Sequence, residues 1–144
     1  MPHFLDTNIL IYSISDSPEE AAKRLRAEAL LALDDGALSV QVLQEFYVQA
    51  TRPTRPGRLA HGIAAGLVAA WCRFPVQDIT LPILTNALEI KAAHGFSYWD
   101  SAIIAAARAL GCRRLYSEDL AHGREVDGVT IINPFRGDRA VRVR

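Results

Sequence analysis

Short apolar runs alternate along the chain with longer segments in which apolar residues recur at helical spacing. The runs predict buried strands, because such strands are brief and continuously apolar. They occupy residues 3–5, 76–79, 114–116 and 129–132. The periodic segments predict helices at about 9–12, 17–34, 40–50, 59–72, 80–94 and 99–110. Because strands that alternate with helices form parallel sheets, we expect an α/β fold with a mainly parallel sheet covered by helices.

Polar residues mark the starts of several predicted helices. Ser39 precedes the helix at 40–50 and is a candidate N-cap. Ser17 and Glu20 have the spacing of a capping box, so we expect the Ser17 side chain to cap the helix that follows. Gly36 is the predicted stop of that helix, because glycine readily adopts the left-handed conformation of a C-terminal cap.

Length and composition predict one ordinary globular domain. The chain has 144 residues, of which 50% are hydrophobic and 22% charged, and this balance excludes extensive disorder. The longest stretch without a charged residue, 59–72, is too short to cross a bilayer, and the first residues lack the basic segment of a signal peptide. Cys72 and Cys112 lie far apart in apolar contexts, which predicts packing roles and not a disulfide framework or a zinc site. We therefore expect a cytoplasmic protein with no membrane association.

Three acidic residues stand at positions that suit a metal site. Asp6 and Asp119 each follow a predicted strand, and Asp100 lies in the first turn of a predicted helix. Ligands bind beyond the carboxyl ends of parallel strands, where these acids could meet. Clustered carboxylates repel one another, and Mg²⁺ relieves that repulsion while supporting phosphate chemistry. Taken singly, each acid is better explained as a cap or turn residue; Asp100, for example, completes a capping box with Ser97.

Helical periodicity predicts the environments of two further residues. Glu45 lies across its helix from the apolar stripe that contains Leu43 and Phe46, which predicts an exposed glutamate, although a polar cleft would present the same face. Trp99 beside Asp100 could stack on nucleic-acid bases, but packing in the core is the favoured interpretation. The sequence contains no HExxH, GxSxG or GxxxxGK[ST] motif.

Five segments follow one another in a characteristic order. They are FLDTNILIY at 4–12, QVLQEFY at 41–47, FSYWDSAIIAAA at 96–107, LYSEDLAHG at 115–123 and IINPF at 131–135. A lone Asp-Thr-Asn is weak evidence, but the ordered set spans nearly the whole chain. Together these segments resemble the PIN-domain family, and in particular the VapC-type toxins of bacterial and archaeal toxin–antitoxin pairs.

The resemblance implies a three-layer α/β/α fold and a Mg²⁺- or Mn²⁺-dependent endoribonuclease. A single PIN domain would occupy residues 1–135, followed by a basic tail at 136–144 with four Arg and one Asp. The family's catalytic and metal-binding acids match Asp6, Glu45, Asp100 and Asp119. Two residues that orient ligands or water match Asn8 and Ser117.

The resemblance also implies partners for the protein. They are an RNA substrate of the tRNA or rRNA class, a VapB-type antitoxin and a second copy of the chain in a homodimer. The net charge is zero, with 14 Arg and 2 Lys, so any RNA contact must be local. The basic loop 51–58 contains Arg52, Arg55 and Arg58, which could contact the RNA backbone or equally form a solvated connection.

Two alternative functions are weighed against the nuclease hypothesis. A PIN scaffold without nuclease activity would act as a protein- or RNA-binding module, although the presence of all four acids disfavours it. Another Mg²⁺ phosphotransfer enzyme fits poorly. A haloacid-dehalogenase-like phosphatase needs an Asp at the position of Asn8, and a receiver domain needs a Lys at a strand end, where Lys23 and Lys91 do not lie.

Overall fold

The computed structural model describes residues 2–136, and this part of the chain contains six strands in one sheet. The strands are β1 (His3–Leu5), β2 (Gly36–Ser39), β3 (Val76–Gln77), β4 (Arg114–Tyr116), β5 (Glu125–Val126) and β6 (Val129–Ile132). The helices are α1 (Thr7–Ser13), α2 (Ala21–Ala32), α3 (Val40–Thr51), α4 (His61–Trp71), α5 (Leu81–His94) and α6 (Tyr98–Ala109), and a 3₁₀ turn occupies Pro18–Glu20. The predicted basic tail, 136–144, lies outside the described residues except for Arg136.

The sheet is parallel apart from one edge strand. Its strand order is β3-β2-β1-β4-β6-β5, and only β5 runs antiparallel to its neighbour. The β5–β6 hairpin turns through Asp127 and Gly128, whose φ angles of 50° and 90° lie in the left-handed region that a tight hairpin favours. This arrangement confirms the predicted mainly parallel sheet.

Helices cover both faces of the sheet and confirm the three-layer α/β/α architecture. On one side α1 packs against α2 and α3, and α3 packs against α4, while α5 and α6 pair with each other. Central-strand residues such as Phe4, Leu115 and Ile131 have no exposed surface, because helices flank the strands that carry them. All three residues of β1 are buried, whereas Arg114 at the start of β4 is exposed and β6 alternates buried and half-buried residues.

The predicted strands are confirmed, but two strands were not predicted. β1, β4 and β6 have the expected bounds, and β3 is shorter than expected. β2 was missed because Gly36 is the predicted stop of one helix and Ser39 the predicted cap of the next, which left only Ala37 and Leu38 between them. β5 was missed because its two residues pair only within a hairpin.

The helix caps agree with the predictions at Ser39 but not at Ser17. The Ser39 hydroxyl accepts a hydrogen bond from a backbone N–H in the first turn of α3 at 3.2 Å. The capping box at Ser17 is wrong, because its hydroxyl donates to the Glu19 carboxylate at 2.8 Å and makes no cap bond. The prediction that Gly36 stops a helix is also wrong, because α2 ends at Ala32 and Gly36 begins β2. A Cβ at Gly36 would lie 3.0 Å from the Phe74 ring, so the close approach of that ring favours glycine there.

Two remaining expectations concern cysteines and membranes. Cys112 is buried and Cys72 is exposed, so the predicted packing role holds for Cys112 and is wrong for Cys72, which follows the last residue of α4. Within residues 2–136, no helix combines the length and the apolar character that a bilayer span requires.

Candidate active site

The two central strands bring the residues that follow them together. β1 and β4 are parallel neighbours with Leu5 beside Tyr116, so Asp6 and Ser117 leave the sheet side by side. A cavity of about 550 Å³ opens at this edge. Its lining includes all four predicted acids, which are Asp6, Glu45, Asp100 and Asp119. Carboxylates from four distant parts of the chain therefore face one space.

Asp6 is held between two hydrogen-bond donors. Its Oδ1 accepts from the backbone N–H of Thr7 at 2.7 Å, so the residue caps α1 as well as lining the cavity. Its Oδ2 accepts from the Ser117 hydroxyl at 2.8 Å. Burial raises the pKa of Asp6 to about 6; its two hydrogen bonds lower that pKa, while the nearby carboxylates of Glu45 and Asp100 raise it. The charged form of Asp6 is thus disfavoured unless a nearby cation offsets its negative charge.

Ser117 and Asn8 set the position of the loop that carries Asp119. Ser117 is fully buried, and besides donating to Asp6 its hydroxyl accepts from the Asp119 backbone N–H at 3.2 Å. Asn8 Nδ2 donates to the Ser117 hydroxyl and to Asp119 Oδ2, both at 3.3 Å. Asn8 Oδ1 accepts from the Glu118 backbone N–H at 3.1 Å. The two residues predicted to orient the acids therefore lie between them.

Glu45 faces the cavity and is only half-buried. Its Oε1 accepts from the Thr7 hydroxyl at 2.6 Å, and its Oε2 accepts from Gln41 Nε2 at 3.2 Å. The prediction of a solvated glutamate from periodicity is therefore wrong. Periodicity places Glu45 correctly on the face of α3 opposite the core, but that face borders the cavity and not bulk solvent, and the hydrophobic pattern is the same in both cases.

Asp100 reaches the cavity from the first turn of α6. The Ser97 hydroxyl accepts from the Asp100 backbone N–H at 3.1 Å, which confirms the predicted N-cap. Burial raises the pKa of Asp100, its bond with the Ser97 side chain lowers it, and the carboxylates of Asp119 and Glu45 raise it. The carboxylates are therefore near enough to repel one another.

Glu118, next to Asp119, is tied to the helices beside the cavity. Its Oε1 accepts from the Tyr12 hydroxyl at 2.5 Å, and its Oε2 forms an ion pair with the Lys23 ammonium. Lys23 also donates to the Tyr12 hydroxyl at 3.3 Å and lies 5.6 Å from the centroid of the Phe135 ring. Both oxygens of Glu118 are thus engaged within the protein.

The structure brings one of the three candidate RNA-binding arginines to the acids. Arg52 follows the last residue of α3 and lies in the cavity lining. Arg55 and Arg58 lie in the turns that follow, and the lining, as far as residues 2–136 form it, does not include them. Arg55 instead donates to the Gly57 carbonyl at 3.3 Å.

Trp99 lies at the edge of the cavity and not in the core. It is 63% exposed, so the prediction of core packing is wrong. Its ring meets the Tyr98 ring edge to face, with centroids 5.0 Å apart. Ile103 and Ile104 of the same helix are buried in the core, while Trp99 and Asp100 in its first turn line the cavity.

Four side chains that take part in this site were not singled out from the sequence. They are Thr7, Tyr12, Lys23 and Gln41. Thr7 stands inside the Asp-Thr-Asn motif, and Gln41 precedes Glu45 by one helical turn, so both carried a local signal. Lys23 carried none, because its partner Glu118 is 95 residues away in the sequence.

The donor set suits a hard divalent cation. Within residues 2–136, no group of three or more His, Cys, Asp or Glu side chains is arranged so that it could hold a metal ion. Mg²⁺ needs fewer protein ligands, because it is usually bound through one or two carboxylates and retains several waters. Asp6 supplies such a carboxylate, and both burial and neighbouring charges favour a cation beside it. The residues present therefore fit Mg²⁺ or Mn²⁺, which prefer oxygen ligands.

Comparison with known proteins identifies the family to which the chain is similar. The family model described as the PIN domain matches residues 3–125. No curated protein sequence matches the chain significantly.

Solved structures share the fold at low sequence identity. A toxin–antitoxin complex from Klebsiella pneumoniae superposes with a TM-score of 0.68 at 19% identity, covering 92% of this chain and 97% of the other. VapC20 of Mycobacterium tuberculosis, a toxin that cleaves the sarcin–ricin loop, gives a TM-score of 0.64 at 20% identity, with 81% and 91% covered. DNA-bound VapBC from Salmonella typhimurium gives a TM-score of 0.64 at 21% identity, and the match covers 91% of this chain and 96% of the other.

Proposed function

The chain belongs to the PIN-domain family, and from this premise we propose that it is a Mg²⁺- or Mn²⁺-dependent endoribonuclease. We propose further that it is the toxin of a VapBC-like pair that acts in the cytoplasm. The observation that carries the proposal is the convergence of Asp6, Glu45, Asp100 and Asp119 on one cavity beyond the carboxyl ends of parallel strands. Structures of similar fold include a toxin that cleaves the sarcin–ricin loop and toxin–antitoxin complexes, which supports this assignment.

We assign the metal-binding and catalytic roles to the four acids of the cavity. Bound there, a divalent metal would lower the pKa of an attacking water and offset the charge that develops on the phosphate oxygens. Asp6 would be a central ligand, because its carboxylate is buried and fixed by Thr7 and Ser117. Glu45 is positioned for ligation or for accepting a proton from water by the bonds that its two oxygens accept.

The polar residues between the acids would keep this geometry fixed. Ser117 holds one oxygen of Asp6, and Asn8 holds both the Ser117 hydroxyl and Asp119. Lys23 restrains Glu118, so the loop that carries Asp119 is anchored from a second side. Such supporting bonds orient carboxylate ligands and determine their basicity.

The RNA backbone would approach the cavity beside Arg52. This guanidinium lines the same space as the acids and can pair with phosphate oxygens in a bidentate manner. Arg55 and Arg58 extend the basic loop away from the acids and would contact phosphates further along the strand. Local positive charge is needed, because the net charge of the chain is zero.

An antitoxin and a second copy of the chain complete the proposed assembly. Four carboxylates around one cavity attract a guanidinium when metal is absent, so an antitoxin arginine would suit this site. An exposed apolar row on α5, formed by Leu81, Leu84 and Leu88, is a surface that a second copy could cover in a homodimer.

The proposal is tested by incubating purified, antitoxin-free protein with total cellular RNA. We expect cleavage in Mg²⁺ or Mn²⁺, none in chelator, and none by folded Asp6→Asn or Asp100→Asn proteins. Asp34→Asn is the matched control, since Asp34 is an exposed acid outside the cavity lining, and it should cleave as the native protein does.

Cleavage that survives in the folded Asp6→Asn and Asp100→Asn proteins would place the activity elsewhere or in a contaminant. If the native protein cleaves nothing, Mn²⁺ binding distinguishes the alternatives. Binding by the native protein but not by Asp6→Asn would indicate a narrow substrate that is missing from the sample. No binding by either would favour a silent PIN scaffold.

A further inference from the structure

Trp99 presents a large aromatic surface at the mouth of the acidic cavity. The side chain lines that cavity, is 63% exposed, and directly precedes Asp100 in the sequence. Tyr98, on its other side, is only partly exposed and packs against the hydrophobic core. The exposed ring is therefore not an extension of the core, and it lies beside the carboxylates that the proposed function uses.

The backbone of Trp99 is hydrogen-bonded to α3, the helix that carries Glu45. Its carbonyl accepts a hydrogen bond from Gln41 Nε2 at 3.2 Å, and the same amide group donates to Glu45. The Trp99 and Tyr98 rings meet at an interplanar angle of 79° with centroids 5.0 Å apart, so this contact is edge to face and is not a stack. A ligand that stacks on Trp99 would meet a ring whose backbone is already held, which limits the entropy lost on binding.

The space around Trp99 favours an open stacking surface over an enclosing pocket. A second, small cavity adjoins the acidic one and shares Gln41, Gln44 and Trp99 with it. Its volume is about 70 Å³, against about 550 Å³ for the acidic cavity. The larger open space beside the indole therefore lies on the side of the acids, where a planar ligand could lie against the ring.

We propose that Trp99 stacks on an unpaired nucleobase of the RNA substrate, adjacent to the phosphate that the acidic cavity cleaves. This inference rests on the proposed nuclease function and gives Trp99 the role of positioning the nucleotide beside the scissile phosphate. Since Trp99 and Asp100 are neighbours at the start of one helix, a base on the ring and a phosphate at the acids would belong to the same or adjoining nucleotides. Unpaired bases are the ones free to stack on aromatic side chains.

The experiment is a binding cycle that pairs a protein change with an RNA change. The probe is a short single-stranded RNA spanning the mapped cleavage site, with a phosphorothioate at the scissile linkage. Two further probes carry an abasic residue on the 5′ or the 3′ side of that linkage. Dissociation constants are measured in Mg²⁺ for the native protein, Trp99→Ala, Trp99→Phe and the control Leu25→Ala, whose side chain is exposed on α2 and lines neither cavity.

Base–aromatic stacking predicts that Trp99→Ala weakens binding of the intact probe by about 5- to 150-fold. For the native protein, one of the two abasic probes should bind more weakly than the intact probe by a similar factor. For Trp99→Ala, that abasic probe and the intact probe should bind equally well. Trp99→Phe should retain most of the affinity, and Leu25→Ala should match the native protein. RNA should also quench Trp99 fluorescence, because the other tryptophan, Trp71, is buried.

Equal losses on abasic substitution in the native and Trp99→Ala proteins would overturn the inference, because the base would then be bound elsewhere. It would also fail if Trp99→Ala left RNA affinity unchanged and altered only the oligomeric state in sedimentation, which would make Trp99 a contact between copies. Both results leave the nuclease intact if the native protein still cleaves RNA. A native protein that neither cleaves nor binds RNA would overturn the proposed function and this inference together.

Discussion

The Asp6→Asn variant tests how much folding free energy is lost when the buried Asp6 carboxyl ionises in the candidate site. Burial, with the carboxylates of Glu45 and Asp100, raises the pKa of Asp6 from 3.8 to about 6. A raised carboxyl pKa means that the folded state holds the proton more tightly than the unfolded state does. The associated stability is therefore complete below about pH 4 and is lost as the pH rises through about 6. It amounts to about 3 kcal/mol, since one pKa unit corresponds to about 1.4 kcal/mol.

The asparagine variant removes this titration and changes one hydrogen bond. Its amide oxygen can still accept from the Thr7 N–H, but its NH₂ group faces the Ser117 hydroxyl, which already accepts from Asn8 and from a backbone N–H. That mismatch costs about 1 kcal/mol and does not depend on pH. The free energy of unfolding is plotted against pH for both proteins, and the difference between the two slopes therefore reports the titration of the Asp6 carboxyl.

The assay is urea unfolding in chelator at a series of pH values. Between about pH 4.5 and 7.5, the free energy of unfolding of the native protein should fall by about 2 kcal/mol relative to that of Asp6→Asn. Asp34→Asn, which removes an exposed carboxyl outside the cavity, should follow the native curve. Parallel curves for the native protein and Asp6→Asn would refute the reasoning, because Asp6 would then titrate alike in the folded and unfolded states.

Three further changes test the supporting bonds and the RNA contact. Ser117→Ala leaves a buried Asp6 oxygen without its donor, and should lower the free energy of unfolding by about 1–3 kcal/mol in chemical denaturation. Thr7→Val keeps the side-chain shape but removes the hydroxyl bonded to Glu45; we expect a folded protein with reduced cleavage, and cleavage equal to the native rate would contradict a positioning role. Arg52→Gln should reduce the slope of log affinity against log salt by about 1, and an unchanged slope would exclude a phosphate contact.

The sequence predicted most of the framework because strands and caps carry local signals. The strand β4, Arg114–Tyr116, was predicted from Leu115 and Tyr116 ahead of the polar Ser117, and Ser39 caps α3 as its position predicts. The failure at Ser17 has a physical cause, because its hydroxyl is bonded to the Glu19 carboxylate and is not available to the helix. Gly36 was misjudged because a glycine can end a helix or make room for a neighbouring ring, and the local sequence is the same in both cases.

The sequence predicted some residues of the candidate site and misjudged others, because it shows only local signals. Asp6 and Asp119 were recognisable as residues that follow strands. Glu45 was assigned to the site only through family resemblance, because its helical face alone predicted solvent. Trp99 was assigned to the core because a large aromatic residue is usually buried there, but in the fold it is 63% exposed in the first turn of α6.

The sequence by itself determined the alternation of strands and helices, the parallel sheet and the residue types that a metal-dependent phosphodiesterase needs. These features depend on periodicity, on capping and on short motifs, which act within a few residues. Only the tertiary structure decided that Glu45 meets Thr7, that Lys23 pairs with Glu118, and that an exposed tryptophan borders the acids. Those contacts join residues far apart in the chain. They depend on the packing of helices against the sheet, which no local pattern encodes.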